Sequence, residues 1–324
     1  MSTKKLRGAL VGFGFIQAKG HVPAYLKRSD VEIVAVAESC DARRFLAQDI
    51  LPHARVYTDY EILLEQESEH LDFIDIATPP AFHAEIARAA LARGLHVLCE
   101  KPLTCTVQEA KELLQAARSA KRVLFPCHNY KHAPVVRAIQ EIIESGRIGK
   151  VRSLTLSTYR NTHAKGVTEW RTNWRREKKF SGGGIAMDHG SHTFYLTFDW
   201  LKGYPTAVTA KMDNLEPQKW DTEDNFSAVL TFPTGLAHVH LTWTAGVRKV
   251  IYTIQGETGA ITVDDDDMQI AIQQRTDGPD VAQGAITWNV EKRQISSHWM
   301  DASHTQWFNS LFDQFSKAIE NKDY

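Results

Sequence analysis

Long apolar runs are missing from these 324 residues. No stretch approaches the ~20 consecutive apolar positions that a membrane-crossing helix needs. The first residues, Met1-Ser2-Thr3-Lys4-Lys5-Leu6-Arg7, carry basic charge without the apolar core of a secretory signal. An excess of one charge is missing as well. Lys and Arg number 38, Asp and Glu 39, and the formal net charge is −1, which gives no electrostatic case for nucleic acid or an anionic membrane. Cysteine is scarce: Cys40, Cys99, Cys105 and Cys127 form no C-x-x-C pair, and three of them sit in or beside apolar runs. They read as reduced, buried thiols. Internal repeats and low-complexity tracts are also lacking. These absences leave a cytoplasmic protein with neither a nucleic-acid nor a membrane partner as the expectation.

The length suffices for a sizeable core and predicts two domains, at residues 1–126 and 127–324. Up to about residue 126, short apolar strands (Leu6–Val11, Val31–Ala37, Phe73–Ala77, Leu95–Cys99, Val123–Pro126) alternate with helical stretches. That alternation predicts βαβ units and a doubly wound parallel sheet of the Rossmann type. Ala81–Arg93 reads as a helix stopped by Gly94, and Val107–Ala120 as a helix with Thr106 and Glu109 at capping-box spacing. From Lys150 the texture changes. After Val151–Tyr159, a polar Trp- and Arg-rich stretch and a triple glycine, one helix is predicted over Gly184–Leu201. Strands then follow at Thr206–Met212, Asn225–Phe232, Leu236–Trp243, Lys249–Gln255 and Ala260–Val263, separated by turn signals. The second half is therefore expected to be α+β, with a large, mostly antiparallel open sheet. Asp264–Asp267 reads as a solvated loop, since the run lacks calcium-loop spacing.

Val11-Gly12-Phe13-Gly14-Phe15-Ile16-Gln17 follows the first strand and opens a helical segment. Gly12 allows a tight turn and Gly14 a close approach to a pyrophosphate. The helix start at Phe15 and Ile16 offers amide donors. Gln17 stands where the fingerprint has its third glycine, a position that serves helix–strand packing. Glu38 ends the second strand, 24 residues after Gly14 (38 − 14), near the offset of an acid that accepts from the adenosine ribose. A carboxylate there repels a 2′-phosphate, so NAD is expected, with Arg43 and Arg44 leaving NADP open.

Leu95 to Pro102 ends a strand abruptly on Glu100, Lys101 and Pro102. In an open parallel sheet the ligand crevice lies at the carboxyl ends of the strands, so Lys101 is delivered to where cofactor and substrate would meet. Its bond to Pro102 is a candidate cis peptide. Further on, Asp188 and His192 are four apart and would share one face of a helix. A carboxylate beside an imidazole favours the charged ring. Oxidising a carbinol needs a base for the hydroxyl proton and a cation near its oxygen, and Lys101 and His192 supply them in either order. Asp188, His189 and His192 lack the H-E-x-x-H spacing of a zinc site, so no metal is expected. His238 and His240 read as surface or interface residues.

As a set, several segments resemble the glucose–fructose oxidoreductase and inositol dehydrogenase family, Gfo/Idh/MocA. They are Gly12-x-Gly14 with His21, Thr78-Pro79-Pro80-x-x-His83, Glu100-Lys101-Pro102, His128-Asn129-Tyr130, Trp174-Arg175, and Gly182-Gly183-Gly184 leading to Asp188-x-x-x-His192. The resemblance implies a nicotinamide cofactor, sugar- or polyol-like substrates, and a homodimer or homotetramer through the second domain's sheet. It also implies Lys101, Asp188 and His192 as the catalytic group. Thr78, Pro79 and His83 would lie along the cofactor, with Glu100 near its nicotinamide ribose. Asn129, His163, Trp174 and Arg175, with Asp188 and His192, would contact substrate. The chain ends at Tyr324, soon after the helical stretch Thr305–Asn321, where relatives commonly continue.

The resulting expectation is an NAD(P)-dependent oxidoreductase acting on a carbinol of a sugar, cyclitol or related polyol. Two rivals share the fold: a redox-assisted glycosidase or eliminating enzyme, and a nucleotide-binding sensor without catalysis. Which sugar, which hydroxyl and which direction depend on loops placed by folding.

Overall fold

The computed structural model describes residues 5–275, 286–296 and 304–324. The described chain divides into two compact units. The first takes the chain up to Asn129, then Ala164–Asp188 and the C-terminal helix; the second takes Tyr130–His163 and His189–Met300. The expected boundary at residue 126 thus lies near the first crossing, and two later segments belong with the first unit. Among the described residues no helix is long and apolar enough to cross a membrane.

In the first unit, β1 (Leu6–Val11), β2 (Val31–Ala37), β3 (Arg55–Tyr57), β4 (Phe73–Ile76), β5 (His96–Cys99) and β6 (Leu124–Pro126) form one sheet in the order β3-β2-β1-β4-β5-β6. Every pairing in it is parallel. Alternation along the strands decides what each face buries. Ala9, Val11, Ile74, Ile76, Val97 and Cys99 pack with Leu63 and Leu64 of α3 (Tyr60–Glu67), Ala87 and Leu91 of α4 (His83–Ala92), and Leu113 of α5 (Val107–Ala120). Leu10, Val36, Phe73 and Leu98 point the other way, into a core shared with α1 (Val22–Tyr25), α2 (Asp41–Ile50) and the C-terminal helix α10 (Thr305–Asn321). The α5 capping box forms as its spacing predicts: Thr106 Oγ1 accepts from the Glu109 amide, and Glu109 accepts from the Thr106 amide.

Phe308, Leu311, Phe312 and Phe315 are the i, i+3, i+4, i+7 stripe of α10, and all four are buried. Phe312 meets the rings of Tyr25 at 5.1 Å, Phe73 at 5.6 Å and Phe315 at 5.7 Å. Gly8 of β1 makes room for this layer, because a Cβ there would lie 2.2 Å from the Phe73 ring.

In the second unit, an eight-stranded sheet runs β14-β13-β12-β11-β7-β10-β9-β8. Its strands are β7 (Val151–Tyr159), β8 (Ala207–Asp213), β9 (Asn225–Phe232), β10 (Gly235–Thr242), β11 (Lys249–Gly256), β12 (Gly259–Asp264), β13 (Asp267–Arg275) and β14 (Ile286–Gln294). It is antiparallel except for β7 beside β10. One face is buried through Leu154, Leu156, Phe226, Leu230, Val239, Leu241, Tyr252 and Ile254. Leu196 and Trp200 of α9 (Gly190–Trp200) are buried too, and Trp200 meets Tyr252 edge-on at 5.9 Å. The other face carries Thr155, Thr209, Lys211, Ser227, Val229, His238 and His240 around a shallow concavity of about 380 Å³. β3, β13, β14 and α6 (Pro134–Glu144) were not singled out from the sequence. The Asp run is a tight turn between β12 and β13, with Asp265 in the left-handed region at φ 53°. The helix expected over Gly184–Leu201 is broken: α8 (Ile185–Asp188) stops and α9 begins at Gly190, following α7 (Lys178–Ser181) and the glycines.

Phe312→Ala opens a cavity where four aromatic rings meet. We expect a loss of about 3–5 kcal/mol of stability, seen as a lowered calorimetric Tm of the first unit's transition. An unchanged Tm would show that α10 is not structurally required.

Candidate active site

The carboxyl ends of β1 and β2 build the nucleotide end. Gly12 turns the chain at φ 86°, and a Cβ there would meet Ala77 and Thr78 at 3.0 Å. Gly14 leaves open space: nothing lies within 4 Å of where a Cβ would be. The Glu38 carboxylate accepts from the Phe13 amide at 2.6 Å and from the Cys40 amide at 2.8 Å, one on each oxygen. Each oxygen keeps acceptor capacity for a ligand hydroxyl. Arg43 is turned inward, donating to the Phe13 carbonyl at 2.8 Å and the Gly14 carbonyl at 3.3 Å, with Glu169 at 3.2 Å from its Nη1. Arg44 donates to the carbonyls of Glu38 and Ser39 and pairs with Asp41. Both arginines therefore brace the loop.

Two buried side-chain oxygens that follow β4 and β6, Thr78 Oγ1 and Asn129 Oδ1, have no hydrogen-bond partner among the described residues. Orphaned buried groups are costly, and a bound ligand bearing hydroxyls and amides would satisfy them. With the open approach at Gly14, the held carboxylate of Glu38 and the helix start at Phe15 and Ile16, these residues fit a dinucleotide. His83 is fully buried, and its ring nitrogens lie 2.8 Å from the Thr78 carbonyl and 2.9 Å from the Pro102 carbonyl. Burial pushes its pKa down, against the pull of those carbonyls. His83 ties the Thr78-Pro79 loop to the Lys101-Pro102 turn, whose peptide bond is cis.

Lys101 extends from the carboxyl end of β5. Its ammonium donates to Asp188 Oδ1 at 2.9 Å and to the Asp188 carbonyl at 3.0 Å. Arg175 Nε stands 3.5 Å from the same Oδ1, its Nη1 donates to the Ala164 carbonyl at 3.2 Å, and its guanidinium lies 4.2 Å from the Trp174 ring centre. Three residues singled out from separate stretches of sequence thus converge, with two cations on one carboxylate. Trp170, from the same Arg-rich stretch, packs edge-on against Phe180 at 5.4 Å.

His192 belongs to the second unit. It is buried on α9, its Nδ1 2.8 Å from the Tyr195 hydroxyl and its ring stacked on Tyr130 at 3.8 Å. Tyr195 Oη also accepts from the Tyr130 amide at 3.1 Å. α8 ends at Asp188 and α9 begins at Gly190, and His189 between them keeps right-handed helical angles, φ −91° and ψ −29°. Tyr195 was not picked out from the sequence, although its i+3 spacing from His192 on a helix is the signal that finds it. His163, also of the second unit, is buried against Trp220 and Trp243.

Behind the Lys101 turn, a buried polar line joins Glu100 of the expected site to His21 and Asp75. Asp75 on β4 accepts at Oδ2 from Tyr25 at 2.8 Å and Gln17 at 3.1 Å, with His21 Nδ1 at 2.9 Å. His21 Nε2 lies 3.2 Å from Glu100 Oε1, and Glu100 Oε2 accepts from the Lys101 amide at 3.1 Å. Burial alone would lower the His21 pKa, but Asp75 and Glu100 outweigh it and raise it to about 9. Burial opposes charge on Glu100 too, yet hydrogen bonding and attraction from His21 hold its carboxyl below the usual range.

Residues 6–128 match the family described as "Oxidoreductase family, NAD-binding Rossmann fold", and residues 136–262 match "GFO/IDH/MocA C-terminal domain". D-glucoside 3-dehydrogenase of Escherichia coli (strain K12) is 27% identical over 253 residues, 72% of this chain and 69% of that protein. Levoglucosan dehydrogenase of Pseudarthrobacter phenanthrenivorans is 31% identical over 168 residues, 50% of this chain and 40% of that protein. A solved levoglucosan dehydrogenase in complex with NADH shares the fold with a TM-score of 0.81, at 24% identity, covering 98% of this chain and 91% of that one. The two family matches take in most of the chain, which belongs to the Gfo/Idh/MocA oxidoreductases and carries their NAD-binding Rossmann fold.

Proposed function

We propose that this protein is an NAD-dependent dehydrogenase that moves a hydride between the nicotinamide and a carbinol of a sugar, cyclitol or related polyol. The observation that carries the reading is the Lys101 ammonium seated on Asp188, with Arg175 beside it, at the carboxyl end of a central parallel strand. When bound, NAD supplies the hydride acceptor. Everything else falls to side chains. With two N–H bonds committed to Asp188, the Lys101 ammonium keeps a third to offer the substrate oxygen, where negative charge develops as the carbinol is oxidised. His192, four residues beyond Asp188 along the chain, takes the hydroxyl proton, and Tyr195 orients its ring. Asp188 anchors Lys101.

Gly12, Gly14, Phe15, Ile16, Glu38, Thr78 and Pro79 hold the cofactor in this reading, Glu100 meets its nicotinamide ribose, and His83 supports the loops that do so. NAD is favoured over NADP because Glu38 places a carboxylate beside the glycine turn while Arg43 and Arg44 are spent on the protein itself. Trp174, Arg175, Asn129 and His163 contact the substrate, the aromatic faces suiting a sugar ring. Relatives named for a glucoside and for levoglucosan support a sugar-like substrate. Homo-oligomerisation through the open face of the eight-stranded sheet is supported by its exposed Val229 and Leu236. A cytoplasmic location agrees with four free cysteines.

Two outcomes are expected. Lys101→Ala should lower kcat at least about 100-fold with NAD affinity nearly intact, measured by initial rates and calorimetry. Unchanged turnover would remove Lys101 from the reaction. Glu38→Ala should weaken NAD by about tenfold while leaving NADP affinity the same or better; equal losses for both cofactors would place Glu38 away from the ribose.

A further inference from the structure

The buried line from Asp75 to Glu100 serves neither the sheet ladder nor the Lys101–Asp188 pair. His21, Asp75 and Glu100 come from three separate elements, and each is less than a tenth exposed. Burying two carboxylates costs a great deal unless a charge is placed between them, and His21 is the group placed there. Phe308 of α10 covers the imidazole face-on at 3.7 Å with an interplanar angle of 14°, so the ring is fixed by stacking as well as at both nitrogens. Asp75 is itself fixed from the far side by Tyr25 and Gln17. Gln17 is the residue that replaces the third fingerprint glycine, so the departure from the glycine pattern supplies a donor to this line. At its near end, Glu100 has one oxygen on His21 and the other on the Lys101 amide.

We infer that His21, braced by Asp75, is a positioning residue that holds Glu100 ionised and in one orientation, and thereby sets how tightly the nicotinamide half of NAD is held. The inference rests on the assignment of Glu100 to the nicotinamide ribose made above. His21, Glu100 and Cys127 also lie within reach of one ion, but both His21 nitrogens already face carboxylates, at 2.9 Å and 3.2 Å. The groups facing His21 are Asp75 from β4, Glu100 after β5, Tyr25 from α1, Cys127 after β6 and uncharged Phe308 from α10. Burial pushes the Tyr25 hydroxyl and the Cys127 thiol far up, so neither adds charge near neutral pH.

The test compares calorimetric affinities for NAD, ADP-ribose and ADP. ADP lacks the second ribose, so a residue that only supports the fold would weaken all three alike. In His21→Gln, NAD and ADP-ribose should weaken about tenfold while ADP changes less than about twofold. Glu100→Gln should reproduce that pattern, and adding His21→Gln to it should cost nothing more. The unsubstituted protein gives a second readout that needs no variant to fold. As pH rises through about 9, His21 loses its proton, one carboxylate loses its donor, and the NAD-to-ADP affinity ratio should fall. The same fall should persist in Lys101→Ala. Parallel losses for NAD and ADP, additive effects in the double variant, or a ratio flat from pH 8 to about 10 would each overturn the inference. A native protein that binds NAD no tighter than ADP would instead overturn the Glu100 assignment, and the role of His21 with it.

Discussion

Parallel strands must all end on the same side of their sheet, and the site depends on that constraint. Because β1, β2, β4, β5 and β6 run the same way, the glycine turn, Glu38, Thr78, Lys101 and Asn129 all emerge at one edge. Their only unusual backbone features are the positive φ at Gly12 and the cis bond that follows Lys101. What each needs is a fixed strand behind it. The two apolar layers on either face of the sheet supply that, and the aromatic stripe of α10 completes one of them from the far end of the chain.

Charge is then distributed with little left over. Asp188 takes Lys101 and Arg175, Asp75 and Glu100 share His21, and Glu38 takes two backbone amides. A buried ion contributes to a site only when its partners are already in place, and here the partners come from elements that the core has locked. The Arg43 guanidinium, bonded to two carbonyls of the glycine loop and to Glu169, links the nucleotide end to the segment that carries Trp174 and Arg175. Cofactor loop and candidate substrate segment are thus joined within the first unit.

The sequence was legible where the signal is local. Gly12, Gly14 and Glu38 are read from one strand–turn–helix unit and one offset, and the Thr106–Glu109 box from adjacent residues. Lys101 was legible because a strand ends on it, but its meeting with Asp188 across 87 positions rested on family resemblance. Asp75, Tyr25 and Phe308 were not legible at all. The contacts of His21 with Asp75 and Phe308, and of Tyr25 with Asp75, join distant parts of the chain, and a carboxylate inside an apolar strand, Phe73-Ile74-Asp75-Ile76, is the trace they leave. Gln17 was visible as a departure, yet its purpose depends on Asp75. The single helix expected over Gly184–Leu201 is two, α8 and α9, divided at His189, and no local break in the apolar spacing marks the division. The late strands β13 and β14 were passed over although Met268, Ile270 and Ile272 in one, and Ile286, Trp288 and Val290 in the other, stand at alternate positions.

The central claim is hydride transfer with a sugar-like carbinol. It is tested most directly by following the absorbance of reduced nicotinamide when the purified protein and NAD meet a panel of aldoses, inositols, sugar acids and amino sugars. Accumulation of reduced cofactor in proportion to one substrate class, and its absence when Lys101 is replaced by Ala, is the expected result. NAD binding by calorimetry with no reduced cofactor from any member of the panel, in either direction of reaction, would contradict it.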